Sequence, residues 1–335
     1  MLGLLALLIA PGQAAAMQDP IVIAHRGASG LRPEHTIASY TLAIEQGADF
    51  IEPDLVPTKD GVLVARHENE ISETTDVAVR PEFAGRRTTK TIDGAQVSGW
   101  FTEDFTLAEL KTLRAKERLP LLRGTDHDGL YEVPTFAEVV ALARKHGVGV
   151  YPETKHPSYF VSIGLETDTP LLAELKKVGW DRADAPVFIQ SFEVDNLKRL
   201  KGRTAVRLIQ LMDAKGAPSD GAVSSYAAMT TPEGLKAVAA YAYGIGPAKA
   251  MIRDGEAVPT SLVADAHAAG LKVHPWTFRA ENAFLPASLR SGLDPRAHGR
   301  LDEEIARYLE LGVDGFFTDF PLDGVHARDA RRRAR

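Results

Sequence analysis

The feature that most constrains the fold of this chain is a regular alternation of short, β-branched apolar runs with longer stretches of helical periodicity. Apolar runs of this kind are typical of buried strands, and eight of them recur along the chain. We predict strands at Ile21–Ala24, Phe50–Leu55, Val148–Tyr151, Val187–Ile189, Arg207–Leu211, Tyr243–Ile245, Leu271–Val273 and Gly315–Thr318. Strands that alternate with helices form a parallel sheet covered by helices, so eight units predict an α/β fold, the (β/α)8 TIM barrel.

The stretches between the strands carry apolar residues at helical spacing, and several end at a glycine, which is favoured after a helix C-terminus. We predict helices at Thr36–Gln46, Thr135–His146, Pro170–Val178, Pro232–Tyr241, Thr260–Ala269 and Asp302–Leu311. A doubly wound sheet is the alternative arrangement. It usually has fewer strands, and no G-x-G-x-x-G motif opens a helix in this sequence.

One interval interrupts the alternation directly after the second strand and its hairpin-like return, Val62–Ala65. Residues 68–133 contain turn residues and charges with one clear helical pattern, Leu107–Arg114, and they are too long for a plain strand-to-helix loop. We therefore predict a small insertion on the active face of the barrel. The barrel domain is expected over residues 17–325, followed by a solvated basic tail at 326–335.

The chain begins with an almost unbroken apolar run, Leu2–Ala10, followed by the small-residue segment Ala14–Ala16 of the kind that signal peptidase cleaves. We predict a signal peptide over residues 1–16 and a periplasmic or secreted protein. No Lys or Arg precedes the apolar run. The alternative is therefore that translation starts at Met17 and the protein stays inside the cell.

Composition and missing motifs exclude several classes of function. Lys and Arg number 39 against 45 Asp and Glu, and this acidic balance disfavours general nucleic-acid binding. The absence of cysteine excludes disulfides, zinc–thiolate sites, iron–sulfur clusters and a cysteine nucleophile. No later apolar run approaches the roughly 20 residues of a membrane span, so stable membrane insertion is not expected. The sequence also contains no G-x-S-x-G, H-E-x-x-H or P-loop motif.

Three acidic residues lie on or at the end of two neighbouring predicted strands. Glu52 and Asp54 lie two apart on the second strand, so their side chains point to the same side, and Glu153 ends the third strand. Clustered carboxylates raise one another's pKa unless a cation intervenes, and oxygen ligands suit Ca²⁺ or Mg²⁺ better than zinc. The three are candidate metal ligands. The alternative is that they are separate surface acids paired with nearby arginine or lysine.

Two histidines also follow apolar runs directly. His25 comes after the first strand, and His67 ends the return after the second strand. If both project into the same barrel mouth, the two imidazoles are suited to act as general base and general acid near neutral pH. A purely structural role is the alternative for each.

Cations and aromatic residues follow the same strand ends. Arg26 and Lys155 are suited to bind phosphate oxygens, with ordinary pairing to the acids as the alternative. Phe192 and Trp276 follow the fourth and seventh strands and are candidates either for the wall of a substrate pocket or for core packing. Asp319, after the eighth strand, is expected to form a cap or a salt bridge and is assigned no chemistry.

Taken together, these residues resemble the glycerophosphodiester phosphodiesterase family, especially its exported bacterial members. The likeness runs from about Ile21 to Pro321 and rests on His25-Arg26-Gly27, Pro33-Glu34-His35-Thr36, Glu52-x-Asp54, the return from Gly61 to His67, Glu153-x-Lys155 and Thr318-Asp319-Phe320-Pro321. Two positions depart from the family pattern: Glu68 stands where relatives usually have Asp, and Pro53 separates the two carboxylates. Neither departure removes a proposed catalytic group.

The resemblance implies a TIM barrel with a small insertion after strand 2. It also implies hydrolysis of small glycerophosphodiesters, such as glycerophosphocholine and glycerophosphoethanolamine, to sn-glycerol 3-phosphate and an alcohol, with Ca²⁺ as the usual metal and Mg²⁺ possible. By position in the motifs, it implies metal binding by Glu52, Asp54 and Glu153, acid/base catalysis by His25 and His67, phosphate binding by Arg26 and Lys155, and a glycerol pocket shaped by Phe192 and Trp276.

Two other functions remain open for this pattern. A related barrel of the phospholipase C or sphingomyelinase D type would act on intact lipid and would need an apolar rim, whereas the insertion is polar at Thr88–Thr91 and Asp93-Gly94. A non-catalytic solute-binding barrel would bind tightly without turnover. The nucleophile is also left open, since either water or the 2-hydroxyl of the substrate could attack the phosphorus.

Overall fold

A computed structural model of the chain describes residues 19–334, so the predicted signal peptide at residues 1–16 lies outside the described residues. The strands of the described part are β1 (Ile21–His25), β2 (Phe50–Glu52), β3 (Asp54–Pro57), β4 (Leu63–Ala65), β5 (Thr88–Ile92), β6 (Ala95–Gly99), β7 (Gly149–Val150), β8 (Glu153–Thr154), β9 (Phe188–Ser191), β10 (Arg207–Met212), β11 (Gly244–Pro247), β12 (Lys272–Val273) and β13 (Gly315–Thr318). Ten of these strands, all except β4, β5 and β6, form the wall of a barrel.

The second and third strands of the barrel are each divided into two segments. β2 pairs with β7, and β3 pairs with β8, both in parallel. The breaks lie at Pro53 and Pro152, because proline has no N–H to donate to a neighbouring strand. The strand predicted as continuous over Phe50–Leu55 is therefore corrected, because it breaks at Pro53. The strand predicted over Val148–Tyr151 is present as β7, and a second segment, β8, follows Pro152. The second segment of each strand carries a predicted metal ligand.

The remaining strands pair in sequence order and close the sheet on itself. β9, β10, β11 and β12 follow β8 in parallel, and β13 pairs with β1, which pairs with β2. The gap between β12 and β13 is closed where the backbone N–H of Phe317 donates to the carbonyl of Pro275 and that of Phe278 donates to Phe317. The result is a closed parallel barrel, which confirms the predicted (β/α)8 fold.

Each of the six helices predicted between the strands is present, with ends that differ by at most two residues from the prediction. The α-helices are α1 (Ile37–Glu45), α2 (Leu107–Leu110), α3 (Pro120–Arg123), α4 (Phe136–His146), α5 (Pro157–Ser162), α6 (Asp168–Lys177), α7 (Val194–Lys201), α8 (Tyr226–Met229), α9 (Pro232–Ala239), α10 (Lys249–Ile252), α11 (Leu262–Ala268), α12 (Leu301–Glu310) and α13 (Pro321–Arg333). Short 3₁₀ helices lie at Asp76–Val79, Pro81–Arg86, Thr102–Asp104, Asn282–Phe284 and Ala287–Leu289. No helix among residues 19–334 is both long and apolar enough to cross a membrane.

The insertion has more structure than the sequence predicts. β5 and β6 form an antiparallel hairpin that the pattern of this segment does not predict. The predicted helix Leu107–Arg114 is wrong in its length, because α2 ends at Leu110. Its continuation is prevented where the backbone N–H of Arg114 donates to Asp76, whose own N–H donates to the carbonyl of Arg114.

The basic tail is also more ordered than predicted. α13 runs to Arg333, so most of residues 326–335 is part of a helix and not a separate solvated tail. This helix packs on α12 with Ala327 buried, and Arg328 pairs with Asp49 at 2.8 Å. The apolar contact and the ion pair stabilise the packing of this basic helix against the barrel.

The interior of the barrel contains an apolar layer to which each of several strands contributes one inward-facing side chain. Its buried members are Ile23, Phe50, Tyr151, Phe188, Ile209 and Phe317. Because side chains two apart on a strand point to the same side, the residues two positions later along these strands form the next layer toward the carboxyl-terminal mouth. That layer contains His25, Glu52, Glu153, Gln190, Leu211 and Asp319.

Candidate active site

The candidate site is a cavity of about 300 Å³ at the carboxyl-terminal mouth of the barrel, directly above the interior apolar layer. Its walls are formed by His25, Arg26, Glu52, His67, Glu153, Lys155, Gln190, Phe192, Leu211, Asp213, Trp276 and Phe317. Eight of the nine side chains predicted from the sequence line this one cavity. The ninth, Asp54, adjoins it through the carboxylates of Glu52 and Glu153.

The three predicted metal ligands lie together. Glu52, Asp54 and Glu153 each offer a carboxylate oxygen within 4.8 Å of the others, and all three residues are buried. Burial, together with the neighbouring Asp54 carboxylate, raises the pKa of Glu52 and of Glu153 above the usual range. A divalent cation would relieve this crowding of like charges, and a donor set made only of oxygen suits a hard cation. The cluster therefore fits a metal ion.

Two cations pair with the same cluster. Arg26 Nε lies 3.2 Å from Asp54 Oδ2, and Lys155 Nζ lies 2.9 Å from Glu153 Oε1. The ion pairing that the sequence offered as an alternative to metal binding is thus present alongside the carboxylate cluster. Both cations also line the cavity, so they remain available to an anionic ligand.

A tight turn presents Arg26 to the cavity. Arg26 has a φ of 60° and Gly27 a φ of 88°, and the backbone N–H of Arg26 donates to Glu52 Oε2 at 2.8 Å. A Cβ on Gly27 would lie 2.4 Å from Ser39 Oγ, so glycine is required there by space as well as by backbone conformation. The His-Arg-Gly motif is therefore the sequence of this turn.

His25 is held in one orientation by a buried acid. Its Nδ1 donates to Asp319 Oδ1 at 2.6 Å, which leaves Nε2 as the nitrogen available to the cavity. Burial and the nearby Arg26 lower the pKa of His25 to about 4, although Asp319 opposes this shift. Neutral His25 is thus arranged as a proton acceptor through Nε2.

His67 faces the same cavity from the end of the hairpin return. About a quarter of its side chain is exposed, and its Nδ1 lies 3.0 Å from Glu68 Oε1. Burial and the two cations Arg26 and Lys155 lower its pKa. An anionic group bound between the imidazoles would favour their protonated forms and so oppose this shift.

Several polar residues that support the site have no predicted role in the sequence. Gln190 Nε2 donates to Glu52 Oε1 at 3.1 Å, and His35 Nε2 donates to Asp54 Oδ2 at 2.9 Å. Each therefore fixes one of the candidate metal ligands. Strand parity was an available signal for Gln190, because it follows Phe188 by two residues just as Glu52 follows Phe50.

Asp319 is a further residue whose role in the site the sequence pattern does not indicate. The expected salt bridge is present, since Arg123 Nη2 and Arg279 Nε lie 2.6 and 2.9 Å from Asp319 Oδ2. Burial alone would raise the pKa of this carboxyl, but Arg279 and Arg123 hold it well below its usual range. Asp319 is therefore a fixed anion that orients His25.

The two predicted aromatic residues form one wall of the cavity. The rings of Phe192 and Trp276 meet edge to face, with centroids 5.8 Å apart. A second cavity of about 380 Å³ adjoins the first and shares Glu153, Lys155, Phe192 and Asp213 with it. The site thus offers space on both sides of the group of charges.

Comparison with known proteins gives a consistent result. A family model described as the glycerophosphoryl diester phosphodiesterase family matches residues 25–323. The chain is 38% identical over 326 residues to glycerophosphodiester phosphodiesterase GDPD6 of Arabidopsis thaliana, covering 90% of this chain and 84% of that protein. It is 31% identical over 346 residues to a glycerophosphodiester phosphodiesterase of Haemophilus influenzae, covering 92% and 89%.

A solved structure supports the same fold. The structure of an Oleispira antarctica phosphodiesterase in complex with the product sn-glycerol-3-phosphate is similar to this one with a TM-score of 0.64. The identity is 22%, and the match covers 93% of this chain and 97% of the other. With the family model spanning nearly all the described residues and two relatives above 30% identity, the chain belongs to the glycerophosphoryl diester phosphodiesterase family.

Proposed function

We propose that this protein is an enzyme that hydrolyses glycerophosphodiesters to sn-glycerol 3-phosphate and an alcohol. The observation that carries the proposal is the convergence of three carboxylates, two imidazoles and two cations on one cavity. Membership of the family supports the same substrate class. The Oleispira protein was solved with sn-glycerol-3-phosphate, which is the product we expect here.

The chemistry follows from the placement of the two histidines. One imidazole removes the proton of the attacking group, which is either water or the 2-hydroxyl of the glycerol, and the other protonates the leaving alkoxide, which would otherwise be a poor leaving group. If the 2-hydroxyl attacks, the first product is a cyclic phosphate, and water then opens it to give sn-glycerol 3-phosphate. The Asp319 contact leaves the Nε2 lone pair of His25 directed to the cavity, so His25 is equipped to accept a proton. The charges of Arg26 and Lys155 disfavour protonation of His67. A phosphodiester anion bound between the two imidazoles offsets these charges, so His67 gains its proton when the substrate binds.

The phosphate is proposed to lie among the positive charges of the site. Arg26 and Lys155 donate to its non-bridging oxygens, on which negative charge builds during attack. A divalent cation held by Glu52, Asp54 and Glu153 would add Lewis-acid stabilisation of the same charge. The glycerol is placed against Phe192 and Trp276, and the alcohol of the leaving group extends into the second cavity.

A coupled assay for sn-glycerol 3-phosphate tests this function. The purified protein is given glycerophosphocholine, glycerophosphoethanolamine and, separately, phosphatidylcholine vesicles. We expect release of sn-glycerol 3-phosphate from the first two and little action on the vesicles. Equal activity on vesicles would favour the phospholipase C or sphingomyelinase D alternative, and tight binding without turnover would favour a solute-binding barrel.

We further propose Ca²⁺ as the metal, because three carboxylates with no nitrogen or sulfur ligand among them suit a hard ion that accepts flexible geometry. Activity should be lost on treatment with a chelator and restored by Ca²⁺, and to a smaller extent by Mg²⁺. Direct titration of the chelated protein with each ion provides a second measurement that does not depend on turnover. Full activity in the presence of excess chelator would reject the metal assignment.

We also propose that the protein is exported to the periplasm or beyond it. The support is the apolar run Leu2–Ala10 and the segment Ala14–Ala16. Both export with cleavage after residue 16 and translation from Met17 give the same first residue, so N-terminal sequencing does not separate them. Fractionation of cells expressing the full chain does, with a chain that starts at Met17 as the cytoplasmic control.

A further inference from the structure

Two arginines of the insertion contact carboxylates that hold residues of the candidate site. Arg118 precedes α3 and Arg123 is its last residue, and both lie near the end of the insertion. The proposed function uses neither residue, and neither lines the main cavity. Their contacts nevertheless reach the surroundings of His25 and Arg26.

Arg123 uses its whole guanidinium group to join three loops of the barrel. Nη2 donates to Asp319 Oδ2 at 2.6 Å, Nε donates to Glu281 Oε1 at 2.6 Å, and Nη1 donates to the carbonyl of Ser29 at 2.8 Å. These partners follow β13, β12 and β1. The Arg123 side chain is only 5% exposed, so water competes little for these contacts.

The contact with Asp319 connects Arg123 to His25. One oxygen of Asp319 accepts from His25 Nδ1, and the other accepts from Arg123 and from Arg279 Nε. Loss of Arg123 would leave Asp319 oriented by one guanidinium in place of two. The imidazole of His25 would then lose part of what fixes its tautomer and direction.

Arg118 reaches Arg26 in the same way through a different acid. Arg118 Nε donates to Glu34 Oε2 at 2.9 Å, and the same oxygen accepts from Arg26 Nη1 at 3.0 Å. Glu34 is buried, whereas the Arg118 side chain is 26% exposed. Arg118 shares the Glu34 charge, so its loss would leave Arg26 as the main guanidinium partner of this acid and less available to phosphate.

We propose that the insertion sets the geometry of the active site through two positioning residues, Arg123 for His25 and Arg118 for Arg26. This inference rests on the proposed function, since it assigns proton transfer to His25 and phosphate binding to Arg26. The two arginines should therefore affect different kinetic constants. Arg123 acts on the chemical step, and Arg118 acts on the binding of the phosphate.

The test compares Arg123→Met, Arg123→Lys and Arg118→Met with the wild type. We expect Arg123→Met to lower kcat by about 10- to 100-fold with little change in KM, by analogy with the loss of residues that orient metal ligands. Arg123→Lys should recover part of kcat, because the ammonium can still reach Asp319. Arg118→Met should leave kcat nearly unchanged. It should raise KM and the Kd of sn-glycerol 3-phosphate by up to about fivefold, which corresponds to the loss of a partly exposed ion pair.

Arg80→Met is the matched control, because Arg80 also lies in the insertion but pairs with Asp76 and Glu82. It should leave both kinetic constants near the wild-type values. A readout independent of turnover is the downfield proton NMR signal of His25 Nδ1–H, assigned with His25→Gln. We expect this signal to persist in Arg118→Met and to be lost or to exchange faster in Arg123→Met.

The results separate the inference from the function on which it rests. A wild type without activity would reject the proposed function, while the NMR comparison of His25 would still report on Arg123. An active wild type with unchanged kcat and an unchanged His25 signal in Arg123→Met would overturn the inference. Equal losses in kcat and in product binding for both arginines would overturn it as well, because they would indicate a general loss of structure. If Arg123→Met does not fold, Arg123→Lys carries the same measurements.

Discussion

His25 and His67 face the same cavity, but their surroundings differ in burial and in the number of partners. His25 bonds to the buried Asp319, which is held in turn by Arg123 and Arg279. His67 is a quarter exposed and contacts Glu68, of which almost half the side chain is exposed. One imidazole therefore belongs to a buried network of charges, and the other to a partly exposed group of charges at the rim, in which Glu68 also contacts His156.

This difference in burial predicts how the two halves of the site respond to substitution. The buried half consists of His25 and the charges behind it, and the exposed half consists of His67 and Glu68. In a buried network, removal of one charge leaves its partners without compensation in a medium that cannot solvate them, so the cost is large. Charges at the partly exposed rim are better screened by water, and the loss of one of them costs less. Both histidines can share equally in the chemistry while the residues behind them differ greatly in their importance for folding.

The largest expected effect is on activity, and here the two halves should behave alike. His25→Ala and His67→Ala should each lower kcat by about 10²- to 10⁴-fold, because each removes one partner in proton transfer. Steady-state assays, with circular dichroism to check folding, measure this. A variant within about tenfold of the wild type would show that its histidine is not the acid or base.

Asp319→Asn should show the buried half to be sensitive both in activity and in stability. The amide keeps the shape of the side chain but not its charge, so Arg123 and Arg279 lose the anion between them. We expect the free energy of unfolding to fall by about 3 kcal/mol. Urea unfolding measures the loss, and a change below about 0.5 kcal/mol would contradict the assigned role of the buried network.

The sequence predicts the barrel and most of the site because both depend on short-range periodicity. Strand alternation brings Glu52 and Asp54 together, and the order of strands brings Glu153 beside them. The same parity places Asp319 two residues after Phe317, so its position was predictable although its role was not. The hairpin of β5 and β6 also had a sequence signal that our prediction did not include, the dipeptide Asp93-Gly94, which favours a tight hairpin turn and has positive φ at both positions.

The contacts of the insertion have no such local signal. Arg123 and Asp319 are 196 residues apart, and Arg118 and Glu34 are 84 apart. No periodicity relates these pairs, because residues 118–123 of the insertion follow neither a helical nor a strand pattern. Their meeting depends on how the whole insertion packs on the barrel, which is a property of the tertiary structure.

Glu68→Gln tests the exposed half of the comparison. His67 and His156 contact different oxygens of the Glu68 carboxylate. In the amide, the one oxygen can still accept from His156, and the NH2 can donate to Nδ1 of a neutral His67. We expect a loss of less than about 1 kcal/mol in the free energy of unfolding. kcat should stay within a few-fold of the wild type, because the imidazole of His67 is retained. A loss as large as that of Asp319→Asn would show that the rim is not screened as its exposure indicates.

An effect on stability of similarly small size is expected in the pH dependence of the contact between the insertion and the rim. His156 lies 2.7 Å from Asp93 of the hairpin turn and 2.7 Å from Glu68. Although burial opposes it, hydrogen bonding to these carboxylates raises the pKa of His156 from 6.5 to about 9.

A group whose pKa is raised by folding stabilises the folded state fully below its unfolded pKa, and this stabilisation is lost as the pH rises through its folded pKa. The free energy of unfolding of the wild type should therefore exceed that of His156→Asn most at pH values below 6.5, and the difference should shrink by the order of 1 kcal/mol as the pH rises through 9. Urea unfolding of the two proteins across this range measures the difference. A difference that stays constant with pH would mean that the imidazolium is not what ties the hairpin to the rim.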